Sequence, residues 1–283
     1  MFSRINSKLH LNKRLYLLVP FLVITILLII LPIILIINSS LRPLESNGEL
    51  NDNWELLKQP TTWTIIFRSL RIGIWSSILC LVVGFPYAYF VSSSDSKIFK
   101  IYAISLILSP LAIFTIARIY SVRTFFVNVV DSEYINSLNS EWFLVIGLFY
   151  LNLPLMVMPL YTVLKDMPKN ILEASADMGY NTFQTLLKVV VPYSLKAILA
   201  GFGMIFLSSA TTFIVSAKLL PNGSQHQTIG DIINSRINPG NPFDLAKGSS
   251  LVIVVSGIFI GIYSLVLVLP RIIMKFKKGA YYE

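Results

Sequence analysis

The chain has 283 residues, 55% of them hydrophobic and only 13% charged, about half the charged fraction of a soluble domain. With a mean hydropathy of +0.71 and a net charge of +9 it reads as an integral membrane protein, so length gives no count of soluble domains. Its one cysteine, Cys80, excludes an intrachain disulfide and a metal site built from cysteines.

Six charge-free stretches follow one another along the chain: Leu15–Ile37, Ile72–Val91, Ile101–Ala117, Trp142–Leu164, Ala197–Ala217 and Ser249–Pro270. A spanning helix needs about 20 apolar residues, and backbone groups inside lipid must bond within their own helix. Each stretch is therefore predicted as a transmembrane helix. The first is longer than the roughly 7–15 residues of a cleavable signal core, so it is expected to be a span and not a leader. The third is short and is expected to continue through Arg118 to Phe126 (101–126), with Arg118 and Arg123 near the interface or facing protein. Prolines fall in or beside every span, from Pro20 and Pro32 to Pro270, which suggests bent helices.

Charge placement sets the orientation. With both termini cytoplasmic, the inner segments hold 14 of the 23 lysines and arginines, including Arg4, Lys8, Lys13 and Arg14 before the first span and Lys275, Lys277 and Lys278 after the last. The outer segments carry as many acids as bases. This matches the positive-inside rule. The basic excess is spent on topology and on anionic lipid, which removes the argument for nucleic-acid binding.

The longest inner segment, Lys165–Lys196, separates the fourth and fifth spans and reads "ILEASADMGYNTFQTLLKVVVPYS" at Ile171–Ser194. Pro168 suits the first turn of a helix running to Met178, with Glu173 and Asp177 four apart. Gly179 is expected to end that helix in the left-handed conformation. Asn181 or Thr182 then caps a second helix, Phe183–Val191, which is expected to stop at Pro192. Leu172, Ala174, Met178 and Phe183 would supply contacts to a docking partner, and Ala174, Ser175 and Ala176 would allow close approach. On geometry alone the segment is either a docking knob or an amphipathic helix lying on the membrane.

The pattern Glu173-Ala174-Ser175, three residues, Gly179, nine residues, Val189-x-Val191-Pro192 resembles the cytoplasmic EAA loop of ABC importer permeases. Ser175 stands for the second alanine, and Val189 and Val191 for isoleucine and leucine. "ARIYSVR" at Ala117–Arg123, "LPLMVMPLY" at Leu153–Tyr161, "IGDII" at Ile229–Ile233 and "NPFDLAKGSS" at Asn241–Ser250 are similar to the B-type permeases of bacterial spermidine/putrescine importers. The resemblance covers roughly Arg68–Ile273. It implies an all-α type I ABC importer permease: one transmembrane domain, multi-pass in the bacterial inner or plasma membrane, with 165–196 as its coupling loop. It also implies partners: an ATP-binding cassette ATPase dimer, a second permease subunit and an external solute-binding protein. ATPase coupling would be carried by Glu173, Ala174, Ser175, Asp177, Gly179, Val189, Val191 and Pro192. Related permeases carry ferric ion, thiamine, sulfate or phosphonate on the same frame. A secondary transporter is the reading from another class, but it usually needs ionisable residues inside its spans, which these stretches lack.

No enzyme constellation appears, no GxxxxGK[ST] phosphate loop occurs, and no cofactor is implied. Only His10 and His226 are present, both outside the spans. The outer acids Glu45 with Glu49 and Asp131 with Glu133 read as solvated loop residues. Glu141-Trp142 and Trp63 read as interface anchors. Tyr120, Tyr150 and Asn152 are candidates for a substrate path, though Asn152 reads rather as the cap of a broken fourth helix. Tyr87 and Tyr89 offer further π faces to an amine. Ile229, Ile232 and Ile233 predict a short surface helix.

Overall fold

The computed structural model describes residues 18–279, apart from 43, 47–48, 51, 131, 223–225 and 239. The first three residues of the first predicted span, the N-terminal basic cluster, His10 and Asp131 lie outside the described residues, as do the side chains of Glu49, Glu133 and the C-terminal lysines. The chain forms two compact units, residues 1–58 with 236–254 and residues 59–235 with 255–283.

In the first unit, α1 (Val19–Leu41) is the first span, and none of its apolar window is buried. It contains one wide π turn, Ile26–Ile30, closed by Leu31 N–H on the Ile26 carbonyl just before Pro32. A two-residue antiparallel ladder follows, with β1 (Glu45–Ser46) against β2 (Glu49–Leu50). Asn53 closes the end of α1 by donating to the Ser40 and Arg42 carbonyls at 3.0 and 2.8 Å. An ion pair joins Glu55 of α2 (Glu55–Lys58) to Lys247 of α11 (Pro242–Gly279).

The second unit is built on α3 (Pro60–Ser93), α6 (Glu141–Lys165) and α8 (Thr182–Ala210), which make the most extensive mutual contacts. α3 starts twelve residues before the predicted span because Pro60 opens a helix at once and Ile66 and Leu70 bury on its inner face. Lipid is as apolar as leucine, so such helices associate through close packing and polar contacts instead of water release. The seams accordingly carry Ser69, Ser76, Ser77, Ser194 and Ser209, all fully buried. Leu144, Leu148 and Leu151 pack at one end of this bundle, and Met156, Leu160 and Ile205 further along. Pro86, Pro154 and Pro159 lie inside α3 and α6, and both helices run on through them.

The third predicted span is corrected. It is two helices, α4 (Lys97–Leu108) and α5 (Thr115–Val129), bent by 100°. Pro110 lies in the tight 3₁₀ turn Ser109–Ala112, and Ile113 and Phe114 are extended, so the helical ladder cannot continue. Among the described residues five helices are long and apolar enough to cross a membrane, and counting that pair as one span gives six. Arg118 faces protein: it is 7% exposed and donates to the Leu151 carbonyl and the Thr115 hydroxyl. The fifth span is also shifted. α8 ends at Ala210, and α9 (Val215–Leu219) is a separate turn before α10 (Ile229–Arg236), the short helix that the isoleucine stripe predicts.

Candidate coupling knob and the membrane bundle

α7 (Lys169–Asp177) and the first turns of α8 form the predicted pair of helices. Pro168 sits one position earlier than expected, as the cap before Lys169. Gly179 has φ +76°. Its N–H donates to the Ala176 carbonyl at 2.8 Å, and Tyr180 N–H to the Ser175 carbonyl at 3.1 Å, the paired bonds of a Schellman ending. Asn181 starts the next helix with a complete capping box: its side chain accepts from Gln184 N–H at 2.8 Å, and its own N–H donates to Gln184 Oε1 at 3.2 Å.

Pro192 does not stop the second helix. The chain inserts a π turn at Leu186–Val190, where Val191 N–H reaches the Leu186 carbonyl, and then continues as α-helix to Ala210. A proline in a regular α-helix clashes with the carbonyl four residues earlier and leaves it without a donor; one wide turn just before the ring changes that register. The same device precedes Pro32 in α1. The knob's second helix and the fifth span are therefore one rod.

The knob is seated, not floating. Leu172, a docking contact by its sequence position, is half-buried with Leu186 and packs against the core cluster that includes Leu160, Leu164 and Val190. Ser175, where the family pattern has alanine, is buried; its hydroxyl donates to the Leu172 carbonyl at 2.7 Å and lies 3.1 Å from the Thr185 hydroxyl, tying α7 to α8. The exposed residues of the knob include Glu173, Ala174, Ala176, Asp177, Met178 and Phe183, the last two 62% and 67% exposed. Among the described residues neither Glu173 nor Asp177 makes an ion pair. Glu173 borders a cleft of about 310 Å³ with Asp95, Lys100, Lys165 and Lys169, across which Lys169 pairs with Asp95 at 3.3 Å. Both partners are exposed, so that pair adds at most about 1 kcal/mol. Lys188 sits 4.7 Å over the Tyr180 ring. Val189 is half-buried, as is Val191, whereas Pro192 is exposed.

The three path candidates do not converge. Asn152 does not cap a break. It is buried within continuous α6, donates to Ser209 Oγ at 3.1 Å and accepts from Ser208 Oγ at 3.2 Å. Ser209 passes the chain on to Ser76 at 3.1 Å, so one polar relay joins α3, α6 and α8. Tyr150 borders an apolar cavity of about 430 Å³ with Ser121, Phe125 and Phe149, and Tyr120 is an exposed residue of α5. Tyr87 is spent on the Ala103 carbonyl at 2.7 Å.

At the end of the bundle remote from the knob, Glu141 receives Arg68 and Arg71, and Trp142 stacks obliquely on Trp75 at 5.4 Å. Asp231, unremarked in the sequence beyond its place in "IGDII", is the centre of a second cluster there. Its Oδ1 accepts from Ile214 N–H at 2.9 Å, and its Oδ2 accepts from Thr228 N–H at 2.8 Å and from the Ser216 hydroxyl. Ile214 has φ +72°, a conformation that costs a β-branched residue about 1–3 kcal/mol. Gly230 allows the approach, because a β-carbon there would lie 2.3 Å from the Thr212 carbonyl oxygen. The sequence signal available was an acid in the first turn of a predicted helix, which does not by itself reveal a partner fifteen residues upstream.

Residues 138–275 match the family described as the binding-protein-dependent transport system inner membrane component. The chain is 30% identical over 275 residues to the spermidine/putrescine transport system permease protein PotB homolog of Mycoplasma genitalium, covering 94% of this chain and 95% of that one. It is 28% identical over 257 residues to the spermidine/putrescine transport system permease protein PotB of Escherichia coli, covering 84% and 92%. Among solved structures it resembles a bacterial ABC transporter involved in the import of the acidic polysaccharide alginate, with a TM-score of 0.64 at 14% identity over 93% of this chain and 98% of that chain. That likeness concerns the fold.

Proposed function

This chain belongs to the family of inner membrane components of binding-protein-dependent transport systems and is a multi-pass permease of the bacterial inner membrane; from that premise we propose that it is the permease subunit of an ATP-driven polyamine importer, acting on spermidine and putrescine. The observation that carries the solute is the 30% identity to a spermidine/putrescine permease across almost the full length of both chains. A permease of this family is not itself an enzyme. ATP is hydrolysed by a separate cassette subunit, a second permease completes the path, and an external binding protein delivers the ligand.

The knob is the ATPase contact, and it faces the cytoplasm with both termini. Its outer surface of small residues, Met178 and Phe183 suits a groove on the ATPase, flanked by the unspent carboxylates of Glu173 and Asp177. Because Leu172 and Leu186 seat the knob on the bundle and α8 starts inside it, closure of the ATPase pair tilts α8 instead of bending a loose loop. Ser175 and Gly179 hold the knob's internal shape, and Val189, Val191 and Pro192 shape the π turn through which it joins the span.

The test is uptake of labelled spermidine in a strain with no other polyamine importer. Deletion of the gene should abolish ATP-dependent uptake and the intact gene should restore it. Unchanged spermidine uptake after deletion would move the solute to ferric ion, thiamine, sulfate or phosphonate.

A further inference from the structure

The knob and the strained residue Ile214 stand at opposite ends of one rod. α8 runs unbroken from its capping box at Asn181 to Ala210, and Thr211–Ile214 follow directly. A hydrogen-bonded helix carries a displacement along its length, so movement of the knob arrives at this break. Beyond the break the chain turns back into the bundle: Val215, Leu219 and Leu220 are buried with Leu144, Leu148 and Leu151. The segment thus closes the end of the bundle remote from the knob.

An isoleucine does not rest at φ +72° unaided. Asp231 supplies the restraint, gathering Ile214 N–H, Thr228 N–H and the Ser216 hydroxyl onto one carboxylate. Its helix is itself pinned to α3, because Ile229 N–H donates to Ser69 Oγ at 2.8 Å. The carboxylate therefore bridges a fixed element, α10 on α3, and a segment at the end of the moving rod. Strain at Ile214 pulls toward release; the Ile214 and Ser216 bonds to Asp231, backed by the Thr228 hydroxyl on the Thr212 carbonyl at 2.8 Å, pull toward closure. That is a two-state element which the knob can bias.

The geometry points to Asp231 as a positioning residue for transport: it latches Thr211–Ser216 as the gate at the end of the path remote from the knob, and loss of the latch with relaxation of Ile214 is the opening step. This rests on the import reading above. The two sides of the balance can be weakened separately. Asp231→Asn exchanges one acceptor oxygen for a donor and weakens closure. Ile214→Gly removes the strain, since glycine takes positive φ freely, and weakens opening. The two changes should therefore compensate each other.

The experiment uses the complete transporter, with its ATPase, second permease and binding protein. The gate is read through Val215→Cys, a residue buried in this structure, and a membrane-impermeant maleimide; the native Cys80 is fully buried. Asp231→Asn is expected to raise the labelling rate about tenfold and lower maximal spermidine uptake about tenfold, with KM changed less than twofold and ATPase co-purification intact. Adding Ile214→Gly should bring labelling and uptake back to within about twofold of the parent. Ile214→Gly alone, which keeps every bond to Asp231, should slow both about threefold; this arm serves if Asp231→Asn fails to assemble. Failure of Ile214→Gly to reverse Asp231→Asn at normal membrane levels, or no change in labelling and uptake with Ile214→Gly alone, overturns the latch. Labelling that follows this pattern in a transporter without spermidine uptake would refute the solute and leave the latch standing.

Discussion

Replacing Gly179 in turn by asparagine, alanine and aspartate should separate the knob's own stability from its docking. The φ of +76° costs an ordinary β-carbon about 1–2 kcal/mol, and asparagine less, because its side chain tolerates the left-handed region. Aspartate tolerates that region too, but it places a negative charge at a helix C-terminus, which costs a further ~0.3–1 kcal/mol, and it stands two residues from Asp177. No atom lies within 4 Å of the position a β-carbon would take, so there is no clash inside this chain to add. The internal cost is therefore capped at about 2–3 kcal/mol, and a tenfold change in an equilibrium is about 1.4 kcal/mol. If the empty space is where the ATPase sits, loss of association should exceed that cap. The assay is co-purification of the ATPase from detergent-solubilised membranes, with permease level and spermidine uptake measured in parallel. Expected is normal insertion of all three variants, a graded loss in which asparagine is mildest, and loss of both ATPase and uptake with Gly179→Asp. Full ATPase retention and full uptake in Gly179→Asp would refute the coupling role and favour a helix that only lies on lipid.

Ser175→Ala restores the alanine of the family pattern yet strands the Thr185 hydroxyl, so protection of residues 169–190 in hydrogen exchange should fall by about 1–2 kcal/mol; adding Thr185→Val should recover part of it, and strictly additive losses would sink the pairing. Glu173→Ala removes an exposed carboxylate without touching a fold contact, and should weaken ATPase co-purification less than Gly179→Asp does; complete loss would make Glu173 the principal anchor. Asn152→Leu cuts the relay through Ser208, Ser209 and Ser76, and since interhelical hydrogen bonds in membranes average about 0.6 kcal/mol, thermal stability should drop modestly while uptake stays within about threefold. A KM for spermidine raised more than about thirtyfold would instead put Asn152 on the path. Cysteine at Asn181 should react with an impermeant reagent only from the cytoplasmic side and at Asn222 only from the outer side; reaction of both from one face would overturn the orientation.

The features legible from sequence are those decided by neighbours along the chain. Charge-free length is enough for a span because lipid forces each segment to satisfy its own backbone, and among the described residues five of the six stretches fall on helices long and apolar enough to cross. The knob's turn was legible too, because the left-handed Gly179 and the capping box at Asn181 are three- and four-residue chemistry. Tertiary structure decided what depends on packing across distance. Pro192 ends a helix by local rules, but a π turn lets it sit within α8 once both flanks are packed on the bundle. Leu172 was expected at a docking surface and instead packs against the core cluster that includes Leu164 and Val190. Asn152 found Ser208 and Ser209, 56 and 57 residues away, and Ser209 in turn found Ser76, 133 residues before it; nothing local distinguishes those serines from ones that bond back to their own helix, as Ser77 does to Gly73. Asp231 is the same case at the far end: an acid in a first turn is ordinary, and only the folded chain brings it to an isoleucine held at positive φ.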